Sequence, residues 1–287
     1  MDKVRIGRAA LHMWEEPCIS GERGSGAVFF CGCNLGCVFC QNAKISHGQV
    51  GHIITKAELA EEMLCLQSQG ANNINLVTAG HYMRTVIPAI EDAKRQGLNI
   101  PIVYNTSAYE TVDQIKSLEG IVDVYLPDLK YFSTELSSRY SGKADYFDVA
   151  TDAIDEMVRQ TGNIKFVDES NWSLTYTKEE YDEYCDEGSF IMTNGTIVRH
   201  LILPGYTDDS KKIIKYLIDK YDDRIFISIM NQYTPMENIK EKYPELDRKV
   251  TEAEYNDVLD FAIESGIKYG FFQDGDVAQE SFIPEFN

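Results

Sequence analysis

Ala27-Val28-Phe29-Phe30-Cys31-Gly32-Cys33-Asn34-Leu35-Gly36-Cys37-Val38-Phe39-Cys40 is the stretch on which the reading of this chain turns. The apolar run Ala27 to Phe30 predicts a short strand leading directly into four cysteines. Cys33, Cys37 and Cys40 have the spacing C-x3-C-x2-C. Three thiolates on so short a loop can wrap one face of an iron–sulfur cubane, whereas a fully protein-ligated cluster would use four. The spacing therefore leaves one iron open, as catalytic metal sites generally keep a position open. Gly32 and Gly36 supply the tight backbone that such a loop needs. Cys31 shares the face of Cys33 only if the strand continues that far; a closed cluster or a structural zinc that includes it is the alternative.

The remaining cysteines, Cys18, Cys65 and Cys185, are scattered. Seven in 287 residues, unevenly placed, do not make a disulfide framework. Cys65 falls in a helical pattern and reads as a small core residue. The chain is 44% hydrophobic and 25% charged, which excludes a disordered protein. Lys plus Arg number 27 against 46 for Asp plus Glu, a net charge of −19, so no nucleic-acid partner is expected. No signal peptide and no bilayer-length apolar run is visible, so the expected setting is the cytoplasm, with no membrane partner.

Outward from the cysteines a grammar repeats. Thr55-Lys56-Ala57-Glu58 has capping-box spacing and opens a helix with Leu59, Met63 and Leu66 on one face. Strands are predicted at 74–78, 102–105, 122–126, 197–203 and 225–229, and helices at 86–95, 112–118, 146–158 and 211–220. Short apolar strands alternating with amphipathic helices imply a parallel sheet with helical crossovers. The expected fold class is α/β, an incomplete (β/α)6 TIM-type barrel in one domain, residues 1–287. An open doubly wound sheet is the alternative, although no Gly-rich dinucleotide fingerprint is present. Residues 1–26 read as irregular, since Pro17, Gly21, Gly24 and Gly26 break any periodicity. The barrel core is placed at about 26–235. An acidic insertion interrupts it at about 166–190, between the fourth helix and the fifth strand, read as a solvated surface segment with a short helix. A C-terminal extension, 236–287, carries a helix over 252–265.

The cysteine loop, with Phe39 just before its last cysteine, resembles the signature of the radical S-adenosylmethionine superfamily. Phe29 to Cys37, Tyr125 to Lys130 and Val198 to Gly205 look more closely like the pyruvate formate-lyase activating enzymes and their uncharacterised relatives. The resemblance implies a [4Fe–4S] cluster on Cys33, Cys37 and Cys40 and S-adenosyl-L-methionine on the open iron. It further implies reductive cleavage of the S–C5′ bond and hydrogen abstraction by a 5′-deoxyadenosyl radical.

Ligands of a barrel sit at the carboxyl ends of its strands. Those ends give Phe39, Thr78, His81, Asn105, Ser107, Asp128, Lys130, Arg199, Gln232 and Tyr233 as candidate cofactor contacts. The family's Gly-Gly-Glu-Pro type segment is missing, and Thr78 and His81 stand in its place. His81 reads equally as a helix-start residue, Tyr233 as ordinary packing, and Asp128 with Lys130 as a structural pair. Arg199, inside a strand, needs a partner, either the cofactor carboxylate or Asp128. Gln273 and Asp274 are placed near the mouth by position alone. The implied partners are a flavodoxin or ferredoxin-type electron donor and a glycyl-radical enzyme or peptide substrate. Radical chemistry on a small molecule, an iron–sulfur electron carrier and a zinc-binding module are the alternatives. A donor-docking patch is expected from Arg5, Arg8, Arg23 and Lys44, away from the acidic segment.

Overall fold

The computed structural model describes residues 2–47, 50–184, 189–236 and 239–272. Its strands are β1 (Lys3–His12), β2 (Ser25–Phe30), β3 (His52–Thr55), β4 (Ile74–Val77), β5 (Ile102–Thr106), β6 (Val124–Pro127), β7 (Lys165–Asp168), β8 (Thr175–Thr177), β9 (Phe190–Leu201), β10 (Phe226–Met230) and β11 (Gly270–Phe272). Its helices are α1 (Pro17–Ser20), α2 (Ala43–Ser46), α3 (Lys56–Ser68), α4 (Met83–Arg95), α5 (Val112–Lys116), α6 (Thr134–Ser141), α7 (Tyr146–Gln160), α8 (Lys178–Tyr184), α9 (Thr207–Tyr221) and α10 (Glu252–Glu264).

The main sheet runs β11-β10-β9-β6-β5-β4-β2-β1-β3. From β2 to β11 every neighbouring pair is parallel. The two ends do not pair, so the barrel is incomplete. Strands β2, β4, β5, β6 and β10 are buried along their whole length, as expected where helices cover one face and the barrel interior the other. One core cluster joins Leu59 and Met63 of α3 and Val86 and Ile90 of α4 to the outer faces of β2, β4 and β5. A second joins α7, α9 and α10 to β9 and β10. The capping box at the start of α3 forms: the Thr55 amide donates to Glu58 Oε2 at 2.7 Å, and the Glu58 amide donates to Thr55 Oγ1 at 3.3 Å.

Four expectations change. The N-terminal segment is not irregular: β1 pairs antiparallel with both β2 and β3, with a bulge between Ile6 and Arg8. Val4 and Ile6 alternate into the core, and the glycines that masked this order lie after the strand, with φ of 53° at Gly21 and 88° at Gly24. The acidic insertion is not simply solvated. Its α8 is the expected short helix, but β7 and β8 form a hairpin that continues onto β9. Tyr181 stacks on Phe166 at 4.1 Å between centroids and meets Phe226 of β10 edge-on, so the aromatic half of the segment is core and the acidic half faces water. The C-terminal extension contributes a seventh parallel strand, β11 on β10. Cys65 is exposed rather than buried, on the outward face of α3. Cys185, Gln273 and Asp274 lie outside the described residues.

Candidate active site

At the carboxyl ends of β2, β4, β5, β6, β9 and β10 the barrel opens into a cavity of about 220 Å³. Cys33, Cys37 and Cys40 line it, with Phe39 and Gly36 of the same loop. The loop is held from several sides. The Gly32 amide donates to Ile45 O at 2.9 Å, the Val38 amide to Tyr140 O at 2.8 Å, and the Cys40 amide to Cys37 O at 3.2 Å. Gly32, at φ 93°, leaves its Cβ position 2.9 Å from the His81 ring, so a side chain there meets both strain and collision. Phe39 packs among Tyr131, Tyr140 and Tyr233 with centroids 6.1–6.5 Å away, which closes the loop against the interior.

The thiols fit an iron–sulfur cluster by chemistry. Cys37 is buried, and burial pushes its thiol up to about 11; Lys130 and the Ser141 hydroxyl, which donates to Cys37 Sγ at 3.2 Å, pull the other way. Burial also raises Cys40. Such thiols need coordinated metal to become thiolates, and a hydrogen bond to the sulfur is the kind of contact that tunes a cluster. Among the described residues no three Cys, His, Asp or Glu side chains converge on a single metal ion. In a cubane each cysteine takes a different iron, so convergence on one point is not required. Cys31 does not line the cavity. It is buried with Phe29, Ile45 and Val77, and its thiol donates to Val50 O at 3.3 Å.

The opposite wall is polar and built around Arg199. Its Nε donates to Asp128 Oδ1 at 2.8 Å, its Nη1 to Glu15 Oε2 at 3.1 Å, and its Nη2 to Asn105 Oδ1 at 2.7 Å. Lys130 Nζ donates to Asp128 Oδ2 at 2.6 Å. Burial alone would raise the Asp128 carboxyl, but Arg199 and Lys130 more than offset it and hold it below its usual range. Two carboxylates and two cations thus share one wall, mutually paired as buried charges must be. Thr78 lines the same cavity in a left-handed conformation, φ 61°, with its amide donating to Asn105 O at 2.9 Å. A threonine held there is strained backbone of the kind found at functional sites.

Of the candidates from sequence, Phe39, Thr78, Asn105, Ser107, Asp128, Lys130, Arg199 and Gln232 all line the cavity with the three cysteines. His81 and Tyr233 do not. His81 is exposed behind Gly32, in the 3-10 turn Ala79–Tyr82, because Thr78 turns the chain away from the cavity. Tyr233 is buried, and its hydroxyl donates to Leu246 O at 2.8 Å, which is the packing alternative.

Sequence reasoning missed Glu15, His12 and Trp14, which line the cavity from the end of β1 and the turn after it. Their signal was the cluster Trp14-Glu15-Glu16-Pro17, acidic residues placed between a large aromatic and a helix-starting proline. Tyr146 was also missed. Its hydroxyl lies 2.7 Å from Asp128 O and 3.0 Å from Ser107 O, and it accepts from the Lys130 amide at 3.0 Å. One residue of α7 therefore fixes the ends of β5 and β6.

The sequence profile of the Radical SAM superfamily matches residues 27–187. An uncharacterized protein of Methanocaldococcus jannaschii is 29% identical over 259 residues, 88% of this chain; the chain spans 65% of that relative's length. Among solved structures, methylornithine synthase aligns with a TM-score of 0.51 at 14% identity, over 82% of this chain and 60% of that one. Streptococcus suis SuiB bound to the precursor peptide SuiA aligns with a TM-score of 0.50 at 12% identity, over 88% of this chain and 48% of that one. These structures share the fold.

Proposed function

We propose that this chain, which belongs to the radical SAM superfamily, abstracts a hydrogen atom from a protein or peptide, with activation of a glycyl-radical enzyme as the specific case. The observation that carries the reading is the pairing, in one cavity, of three cysteines with the Arg199 wall. Cys33, Cys37 and Cys40 would hold a [4Fe–4S] cluster, and Cys31, directed away, would not. When bound, the cluster and S-adenosylmethionine supply one-electron cleavage of a sulfonium S–C bond and a carbon radical.

The chain's own residues bind, orient and shield. Arg199 keeps N–H groups beyond its three bonds for a carboxylate. Asp128, with Lys130 on its other oxygen, fixes the guanidinium plane, and Asn105 and Glu15 complete its support. Leu35, Phe39, Leu201 and Met230 line the rest and exclude water from a reactive intermediate. A peptide substrate is supported by a relative of the same fold, SuiB, which has been solved with its precursor peptide. Looser support comes from the resemblance of the 29–37 stretch to activating enzymes. A small flavodoxin or ferredoxin-type protein is the proposed electron donor.

Anaerobic reconstitution tests the reading. Wild-type protein should take up about four irons and, once reduced, release 5′-deoxyadenosine from S-adenosylmethionine without any substrate. Cys37→Ala should lose the cluster and Cys31→Ala keep it. Full iron loading of Cys37→Ala would remove the assignment.

A further inference from the structure

Asn105-Thr106-Ser107-Ala108-Tyr109-Glu110 carries the chain from the end of β5 toward α5, and Asn105, Thr106 and Ser107 line the cavity. Glu110 does not. It is 5% exposed and lies behind that wall, where its Oε1 accepts the Thr106 hydroxyl at 2.5 Å and the Tyr104 hydroxyl at 3.4 Å. Thr106 Oγ1 in turn accepts the Ala108 amide at 3.2 Å. A hydroxyl has a single proton to donate, and Glu110 takes it, which leaves the Thr106 lone pairs for Ala108. The carboxyl thereby closes the short turn that presents Ser107 to the cavity.

Two further contacts make this carboxyl a junction. The turn after β4 packs on it through Gly80, whose Cβ position lies 3.2 Å from Glu110 Oε1 and 3.3 Å from the Tyr104 hydroxyl. On the other side, Tyr109 O accepts the Asn34 side chain at 2.5 Å, which ties the same loop to the cysteines. Thr78 and Ala108, at φ 61° and 60°, are two of the three non-glycine residues with left-handed backbone among the described residues. Each stands two positions before a member of this contact, Thr78 before Gly80 and Ala108 before Glu110. Strain of this kind persists only where the surroundings hold it. The other carboxyl oxygen, Glu110 Oε2, is buried without a hydrogen-bond partner among the described residues. A bare oxygen in the interior lowers stability, so the carboxyl's contribution lies in the acceptor it offers at Oε1.

We propose that Glu110 is a positioning residue for the cofactor: by accepting from Thr106 and bracing Gly80 it fixes the Ser107 and Thr78 turns relative to the cysteine loop, and so sets the orientation in which S-adenosylmethionine meets the cluster. The inference rests on the cavity being the S-adenosylmethionine site. Glu110 acts through Thr106 and Gly80, and what it supplies is an acceptor rather than a charge. Glutamine offers the same acceptor but puts an NH2 group where Oε2 has no partner, so it lowers stability and keeps the turns. Leucine has a similar size and no acceptor; Thr106 is then free to rotate and release the Ala108 amide.

The experiment is calorimetric titration of S-adenosylmethionine into the anaerobically reconstituted, unreduced protein. Iron content, urea melts of the iron-free protein and the electron paramagnetic resonance spectrum of the reduced cluster are recorded alongside. Glu110→Leu should keep about four irons, bind the cofactor about tenfold more weakly and show a smaller cofactor-induced change in the spectrum. Glu110→Gln should stay within about twofold of the wild-type affinity although its urea midpoint falls. Gly80→Ala leaves the carboxyl in place but forces it to shift by a few tenths of an ångström, and should weaken binding in the same direction as leucine. It keeps the test decisive if Glu110→Leu does not fold. Wild-type affinity in Gly80→Ala and in any folded Glu110→Leu overturns the role of Glu110. So does an affinity that falls as far in Glu110→Gln as in Glu110→Leu, because binding would then follow stability. Absence of binding by the wild type overturns the cofactor site, and this proposal with it.

Discussion

Arg199 concentrates the site's demands on one side chain. It sits inside a strand, 13% exposed, and its guanidinium plane is fixed by acceptors from three separate parts of the chain. A lysine would keep the charge but cannot meet three in-plane acceptors with one ammonium. Arg199→Lys should therefore weaken S-adenosylmethionine binding by about tenfold to a hundredfold while leaving iron content near wild type. Arg199→Ala should do the same and also lose about 3 kcal/mol of folding stability, because Asp128 and Glu15 are left as buried, under-compensated charges. Calorimetric titration of the cofactor and urea melts separate the two effects. A cofactor affinity unchanged in both variants would take Arg199 out of the binding site. The Arg199–Asp128 pair was legible in the sequence because an arginine within an apolar strand must find an acid nearby. Glu15 was not, because it is separated by 184 positions from the residue it serves.

The element least visible in the sequence is the segment from Glu15 to Gly24. It runs into the barrel and is gripped at each turn: Asn73 donates to Ile19 O at 2.7 Å and Asn72 to Ser20 O at 2.8 Å. The far end is held by Glu169, just after β7, whose carboxylate accepts the Glu22 amide at 2.8 Å, the Arg23 amide at 3.0 Å and the Asn72 side chain at 2.6 Å. Gly21 is required there, since a Cβ would lie 2.5 Å from Glu169 Oε2 at a φ of 53°. The parallel strands and helices could be read because each carries its own periodicity. This plug has only the single turn of α1, and its place in the barrel is set by distant partners. The insertion was misjudged for the same reason, since acidic content does not reveal that Phe166 and Tyr181 stack. Burial would raise the Glu169 carboxyl, but the Glu22 amide, the Ser189 hydroxyl and the other donors win and hold it at about 2, against 4.5 when free. The stability it confers is then fully present above pH 4.5 and is lost as pH falls toward 2. Glu169→Gln should cost about 3 kcal/mol at pH 7, the loss of charge-assisted bonds to buried donors. Its deficit relative to wild type should shrink when the urea melts are repeated at pH 3. An equal deficit at both values would mean that the ionised form contributes nothing special.

At the scale of the whole molecule, a net charge of −19 opposes the approach of any acidic electron donor. Local cations must offset this near the cysteine loop, and the expected set was Arg5, Arg8, Arg23 and Lys44. The structure removes Arg23 from it. Its guanidinium pairs with Glu169 at 3.2 Å and lies 5.9 Å from the Trp172 ring centroid, so it belongs to the junction between plug and insertion. Arg5 and Lys44 remain suited to docking. Neither has a carboxylate within 4.0 Å among the described residues, and each is tied to the loop. Arg5 O accepts the Cys31 amide at 2.9 Å, and Lys44 lies in α2, which begins three residues after Cys40. Charge reversal of Arg5 and Lys44 together should slow cluster reduction by a reduced flavodoxin several-fold at about 10 mM ionic strength, where the Debye length is about 30 Å. The effect should fade by about 150 mM, where screening shortens that length to about 8 Å. Arg23→Glu should instead lower stability, with the rate per folded molecule little changed. Anaerobic stopped-flow bleaching of the cluster, normalised to iron content, measures all three proteins. A rate that responds to Arg23 and ignores Arg5 and Lys44 would place the donor on the insertion side, against the acidic face of α8.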